Sequence, residues 1–262
     1  MTRLTVAQQR SILEEESTTT LVSVGPEDDE RARLICALLA SAATFVPVPF
    51  VDDLLRERVA QYMVSRTLRR EGRTFGSARV KPLWAPSGGC VQGCLLFLLK
   101  LPVALLLFPI RKLVAWLSLA KTFAEDLTTM ILLGHALDRS LERGRLAAPE
   151  GVAGYRALEE EAARIRVAFD AARKGFDAQI LTAYLKRALS GVKGLGGAAV
   201  RAVRALFRRS PPEGDLTLPT QEREVLEAGA REVSLVLDDP KVREMLERFE
   251  LRFEEELRAV ET

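Results

Sequence analysis

The chain has 262 residues, 48% of them hydrophobic and 28% charged, enough apolar material for one large domain or two small ones and too much for wholesale disorder. Its 38 basic and 36 acidic residues leave a net charge of +2, which gives no global attraction to nucleic acid or to acidic partners. Three cysteines make no disulfide framework and fit a reducing compartment, and a single histidine excludes the repeated imidazoles of most zinc, iron or copper centres.

Residues 1–30 read as a polar N-terminal segment whose opening, Met1 to Arg10, lacks the apolar run of a signal peptide. Acidic residues Glu27 to Glu30 then suit a helix N-terminus. From Arg31 to Val46 the run Leu34 to Ala43 has few polar positions, which predicts a helix buried on most sides and ended by Pro47 and Pro49. A second helix opens at Asp52-Asp53, carries Leu54, Leu55, Val59, Tyr62, Met63 and Leu68 at helical spacing, and stops at Gly72. Residues 72–93, rich in Gly, Pro and Ser, read as a loop.

Cys94 to Ile110 is apolar on every side except at Lys100. As a helix it would cover roughly 25 Å, short of a hydrocarbon core of about 30 Å, and Pro102 and Pro109 would kink it. With Arg111 and Lys112 directly behind it, the segment is expected to re-enter or lie in a membrane interface through Leu95, Leu96, Phe97, Leu98, Leu105, Leu106, Leu107 and Phe108. The bland alternative is a buried core hairpin.

A long amphipathic helix follows, with Leu113, Trp116, Ala120, Phe123, Leu127, Met130, Gly134, Leu137 and Leu141 as its packing seam and Gly144 as its end. The hairpin ending at Gly72 and this one ending at Gly144 share a plan loose enough only to hint at an internal repeat. Residues 152–180 predict another helix through Leu158, Ile165, Phe169, Ala172 and Phe176. From Leu181 to Ser210 the basic residues Lys186, Arg187, Lys193, Arg201, Arg204, Arg208 and Arg209 occur without one acidic residue. A helical wheel sets them opposite Leu181, Leu185, Ala188, Val192, Leu195, Ala199, Val203 and Leu206, so a basic amphipathic helix is expected, weakened by four glycines. The plainer alternative is an ordinary solvated face on a bundle helix. After the linker at Pro211-Pro212, Thr220 is expected to cap an acidic helix running toward Leu237. Asp239-Pro240 starts a last helix with Val242, Met245, Leu246, Phe249, Phe253, Leu257 and Val260 as its stripe, and the acidic pair of helices is expected to attract the basic one.

Candidate chemistry is sparse. Cys90 and Cys94 stand four apart without a second pair, so they read as buried or boundary thiols, and His135 as a core-edge side chain. Gly191 to Gly197 lacks the Gly-Lys-Ser/Thr ending of a phosphate loop, and Asp52-Asp53 and Asp238-Asp239 serve as helix starts. No enzyme, cofactor or metal is read from the chain. Nucleic acid is disfavoured because the basic stretch carries no reading motif and the acidic C-terminal helices would oppose binding.

The segment Phe45-Val46-Pro47-Val48-Pro49-Phe50-Val51-Asp52-Asp53, behind an Ala-rich apolar helix, resembles the Pro-x-Pro-x-x-Asp turn of an uncharacterised bacterial family of hydrophobic helical hairpins, often attached to small GTPases and found at the inner membrane. The resemblance covers at most about forty residues. It implies an apolar hairpin and a membrane-proximal role, and transfers no active site.

The expected fold is all-α, helical hairpins forming a bundle around an apolar central segment, in four stretches: 1–30, an apolar hairpin region 31–145, a region 146–210 ending in the basic helix, and an acidic helical pair 211–262. The expected role is a non-enzymatic, membrane-associated protein on the cytoplasmic side of the inner membrane, peripheral or re-entrant, meeting anionic lipid. The rival is a cytoplasmic bundle that serves as an interaction scaffold or apolar-ligand carrier, with 94–110 as buried core and a protein partner.

Overall fold

The structure is a computed structural model, and it describes residues 21–23, 29–43, 45, 51–85, 119–209 and 217–262. It is an all-α bundle. Nine helices are present among the described residues: α1 (Asp29–Ala43), α2 (Val51–Arg70), α3 (Lys81–Trp84), α4 (Leu119–Glu142), α5 (Gly151–Lys174), α6 (Gln179–Leu189), α7 (Leu195–Arg209), α8 (Thr220–Leu237) and α9 (Pro240–Glu261). The apolar stretch 94–110, the Pro47–Pro49 turn, and the thiols of Cys90 and Cys94 lie outside the described residues.

At the centre of the described bundle is α1, whose residues from Leu34 to Ala43 are all buried. A helix apolar on every side has to be covered on every side. α2, α4, α7 and α8 cover it. Its one polar residue in that run, Ser41, donates to the Ala37 carbonyl at 2.7 Å, and Thr67, Thr128 and Ser140 likewise donate to the carbonyl four residues back. Buried hydroxyls are thereby satisfied within their own helices at no cost to the packing between them. Close approach needs small residues: a Cβ built on Gly229 of α8 would lie 2.9 Å from Leu195 Cδ1 of α7 and 3.2 Å from Leu38 Cδ1 of α1.

α1 and α2 form an antiparallel hairpin, and α4 runs parallel to α2, joined to it by Arg56–Asp126 and Arg70–Asp138, while Arg33 of α1 also reaches Asp138. A second packing unit forms where α9 lies antiparallel to α5 with Phe249 edge-on to Phe169 and Phe176, the ring centroids 6.2 and 5.4 Å apart. α4 joins the two units by packing on α1 with one side and on α5 and α9 with another.

Helix ends follow their sequence signals. Gly72 (φ +69°) and Gly144 (φ +74°) stop α2 and α4 in the same way, with Gly72 N to Arg69 O, Arg73 N to Leu68 O, Gly144 N to Leu141 O and Arg145 N to Ser140 O. Both are Schellman caps, which need a residue in the left-handed region that glycine enters without strain. Asp239 accepts from Lys241 N at 2.8 Å, with Pro240 in the first turn, and so opens α9.

Four expectations need correction. Residues 77–84 are not loop: Ser77–Val80 forms a 3₁₀ turn and α3 follows it, pinned by Gln61 to Ser77 and by Arg166 to the Leu83 carbonyl. Thr220 is not the cap of α8; Pro219 occupies that position with no side-chain cap bond. The polar N-terminal segment is not wholly irregular, because Leu21–Ser23 (β1) pairs antiparallel with Thr217–Pro219 (β2), which stands directly before α8, Leu21 opposite Pro219. The basic stretch 181–210 is not one helix, as described next.

Candidate functional site: the basic elbow of α6 and α7

The stretch without acidic residues folds as two helices with a turn between them. α6 buries Leu181, Leu185 and Leu189 and leaves Lys186 and Arg187 exposed in its last turn, where cations interact favourably with the helix dipole. Its end is closed by Ser190 N to Lys186 O (3.1 Å) and Ser190 Oγ to Arg187 O (2.6 Å). Gly194 then takes φ +77°, a left-handed conformation that a helix cannot continue through, and Ala198 N to Gly194 O (2.9 Å) opens α7. Lys193 therefore sits on the turn and not on a helix.

α7 buries Leu195, Ala198, Ala199, Ala202, Val203 and Leu206 against α1 and α8, and exposes Arg201 and Arg204. The wheel's apolar side is thus the packed side, with Leu181, Leu185, Leu195, Ala199, Val203 and Leu206 buried and Ala188 and Val192 half-buried. Of the expected lipid-binding cations, Arg201 is neutralised by Glu222 of α8 at 2.7 Å, which is the attraction between basic and acidic helices that the sequence led us to expect. Lys186, Arg187, Lys193 and Arg204 have no ion pair among the described residues. Arg208 and Arg209 lie on the last turn of α7, with side chains outside the description, and Arg111, Lys112 and the apolar residues Leu95 to Phe108 are outside it altogether.

Beside the elbow a groove of about 550 Å³ runs between its turn and α8, lined by Val192, Lys193, Val225 and Ala228 together with Glu224, Arg231 and Glu232. Opposite charges share this groove, so Lys193 looks toward carboxylates on one side, whereas Lys186, Arg187 and Arg204 stand on the outward faces of their helices.

The acidic C-terminal helix makes its ion pairs elsewhere than at the elbow. His135 Nδ1 lies 3.0 Å from Glu250 Oε1, Arg139 and Arg143 both bind Glu254, and Arg145 binds Glu261, so α4 and the residues just after it grip the C-terminal half of α9. Sequence reasoning did not find this ladder. Its signal was the four-residue step shared by His135, Arg139 and Arg143 on one helix and by Glu250 and Glu254 on the other, which puts each set on one face. Burial pushes Glu254 up, but the hydrogen bonds from Arg143 and Arg139 outweigh it and hold the carboxyl below its ordinary value; the bond from Arg145 does the same to Glu261.

Cys36 is buried beside Met63 and Thr67, and that burial pushes its thiol up to about 12, against a smaller opposing pull from Arg66. Among the described residues no group of three or more His, Cys, Asp or Glu side chains is placed to hold a metal ion. Among them, too, no helix is long and apolar enough to cross a membrane. Comparison of the chain with protein-family models, with curated proteins and with solved structures gives no match.

Proposed function

We propose that the protein is a non-enzymatic, membrane-associated helical bundle that meets anionic lipid, at the cytoplasmic face of a bacterial inner membrane. The observation that supports this reading is the elbow: Lys186, Arg187, Lys193 and Arg204 are exposed and have no ion pair among the described residues, on two helices and the turn between them, and both helices bury their other faces in the bundle. Each Lys or Arg near an anionic bilayer contributes about 1 kcal/mol, so four of them give about 4 kcal/mol, or nearly a thousandfold in partitioning at low salt. The exposed residues between the cations are small or polar, Ser190, Gly191, Gly194, Gly196 and Gly197, so contact through the elbow is electrostatic and reversible by salt. Any attachment that survives salt belongs to the apolar stretch Cys94 to Ile110.

Cosedimentation with phosphatidylcholine vesicles, with and without about 30% phosphatidylserine, tests the reading. Binding should appear only with the anionic lipid. It should weaken by at least about a hundredfold when Lys186, Arg187, Lys193 and Arg204 are all changed to Gln. Equal binding to both vesicles, or none to either, overturns the proposal. A second reading, an interaction scaffold or apolar-ligand carrier, draws its support from the mixed-charge groove beside α8. Substitutions at Val225 and Ala228 that abolish protein capture while leaving vesicle binding intact would favour it.

A further inference from the structure

Where the C-terminal turns of α4 and α9 come together, a crevice of about 430 Å³ opens between Arg139, Arg143, Arg145 and Arg258, with Glu254 on its wall and Phe253 beneath. Four guanidiniums bordering one crevice are far more than Glu254 can satisfy. Both of its oxygens are taken, by Arg139 Nε and by Arg143 Nη2, the latter at 2.9 and 3.0 Å. Arg139 also reaches Glu142 at 3.2 Å, and both terminal nitrogens of Arg145 go to Glu261. Arg258 gives only its Nε, to the Glu254 main-chain carbonyl at 3.3 Å. Nε and Nη1 of Arg143 and both terminal nitrogens of Arg258 have no partner among the described residues.

The charge around the crevice is also in surplus. Arg73 donates to the Arg145 carbonyl, Arg164 acts on Glu261, and Glu161 comes within 4.0 Å of Arg145. Glu250 in turn acts on Arg139, so six guanidiniums, Arg73, Arg139, Arg143, Arg145, Arg164 and Arg258, stand against five carboxylates, Glu142, Glu161, Glu250, Glu254 and Glu261. The planar fork of each free guanidinium edge matches two oxygens of a tetrahedral anion, and the positive surplus favours an anion there. We propose that this crevice binds a phosphate-class anion, held by the free edges of Arg143 and Arg258. Glu254 orients Arg139 and Arg143, and does not compete for the edges left over.

The same chemistry is offered by a free phosphate compound and by the phosphomonoester headgroup of phosphatidic acid, and the experiment separates them. Melting of the full chain is followed with about 10 mM inorganic pyrophosphate against sulfate at matched ionic strength, for wild type, Arg258→Gln, Arg143→Gln and the control Arg243→Gln. Arg243 is exposed on α9 and paired with Asp238, away from the crevice. Binding to phosphatidylcholine vesicles carrying phosphatidic acid is measured on the same set. A free anion raises Tm by about 2–4 °C in wild type and control, and the rise vanishes in the two crevice variants. A headgroup leaves Tm unmoved by pyrophosphate but loses at least about tenfold in vesicle affinity with Arg258→Gln and not with Arg243→Gln. Because Arg258→Gln breaks no carboxylate pair, its response does not report a lost helix contact. No wild-type response in either arm, or responses equal in all four proteins, overturns the proposal. The elbow is untouched by these substitutions, so the two proposals fail independently.

Discussion

Cys36 illustrates how burial sets chemistry at the level of one side chain. It packs inside α1 with its thiol pushed up to about 12, so at pH 8 almost none of it is thiolate, the nucleophilic form. Alkylation with iodoacetamide, followed peptide by peptide in mass spectrometry, should leave Cys36 unmodified in the native protein. Labelling should rise only across the urea unfolding transition, in step with circular dichroism. Fast labelling of Cys36 under native conditions would show that α1 opens locally, in conflict with the cover it receives from α2, α4, α7 and α8. The buried hydroxyls of Ser41, Thr67, Thr128 and Ser140 raise no such question, since each has a carbonyl on its own helix.

At the level of elements, the elbow shows what a helical wheel can and cannot read. The wheel found the buried stripe of α6 and α7 because both helices present the same periodic face to the bundle. It missed the break because it assigns every residue 100°, and Gly194 at φ +77° is not helical. Two substitutions separate these roles. Gly194→Ala should destabilise by about 1–2 kcal/mol, the cost of forcing a Cβ into the left-handed region. Gly196→Ala, on α7 with nothing within 4 Å of a new Cβ, should stabilise by up to about 1 kcal/mol. Chemical denaturation of the two single variants checks both signs. Other boundaries were legible for local reasons: Gly72, Gly144 and Asp239-Pro240 are read within a few residues of chain. β1 and β2 were not, because three-residue strands at opposite ends of the sequence carry no periodicity of their own and exist only through each other. The arginine crevice escaped for a related reason, since α4 and α9 meet only in the folded bundle. That Lys186 and Arg187 have no ion pair among the described residues was equally beyond the sequence, which shows charges and not their neighbours.

For the molecule as a whole, the ladder between α4 and α9 makes stability depend on acid. Glu254 and Glu261 are held below their ordinary values when folded, so on lowering the pH the unfolded chain takes up these protons first. Their contribution is complete above the unfolded value of about 4.3 and is lost as the pH falls through the lower folded values. Unfolding free energy from urea titrations should therefore be unaffected by these two groups between pH 7 and 5 and decline below about pH 4.3. Glu254→Gln should decline less steeply there, while starting from a lower value at pH 7. Identical slopes for wild type and variant would mean that the ladder contributes nothing to acid sensitivity. Apolar packing of α5 on α9 through Phe169, Phe249 and Phe253 persists in either case, which limits the loss to a fraction of the total.

The central position of α1 also bears on how the chain is made. A ribosome synthesises α1 early, but two of its covers, α7 and α8, end only at Arg209 and Leu237. At 5–20 residues per second the intervening chain takes about 10–40 s to emerge. During that time a helix that the finished bundle buries from Leu34 to Ala43 has only two of its four covers, so its safekeeping falls to α2, its immediate partner in sequence, and then to α4.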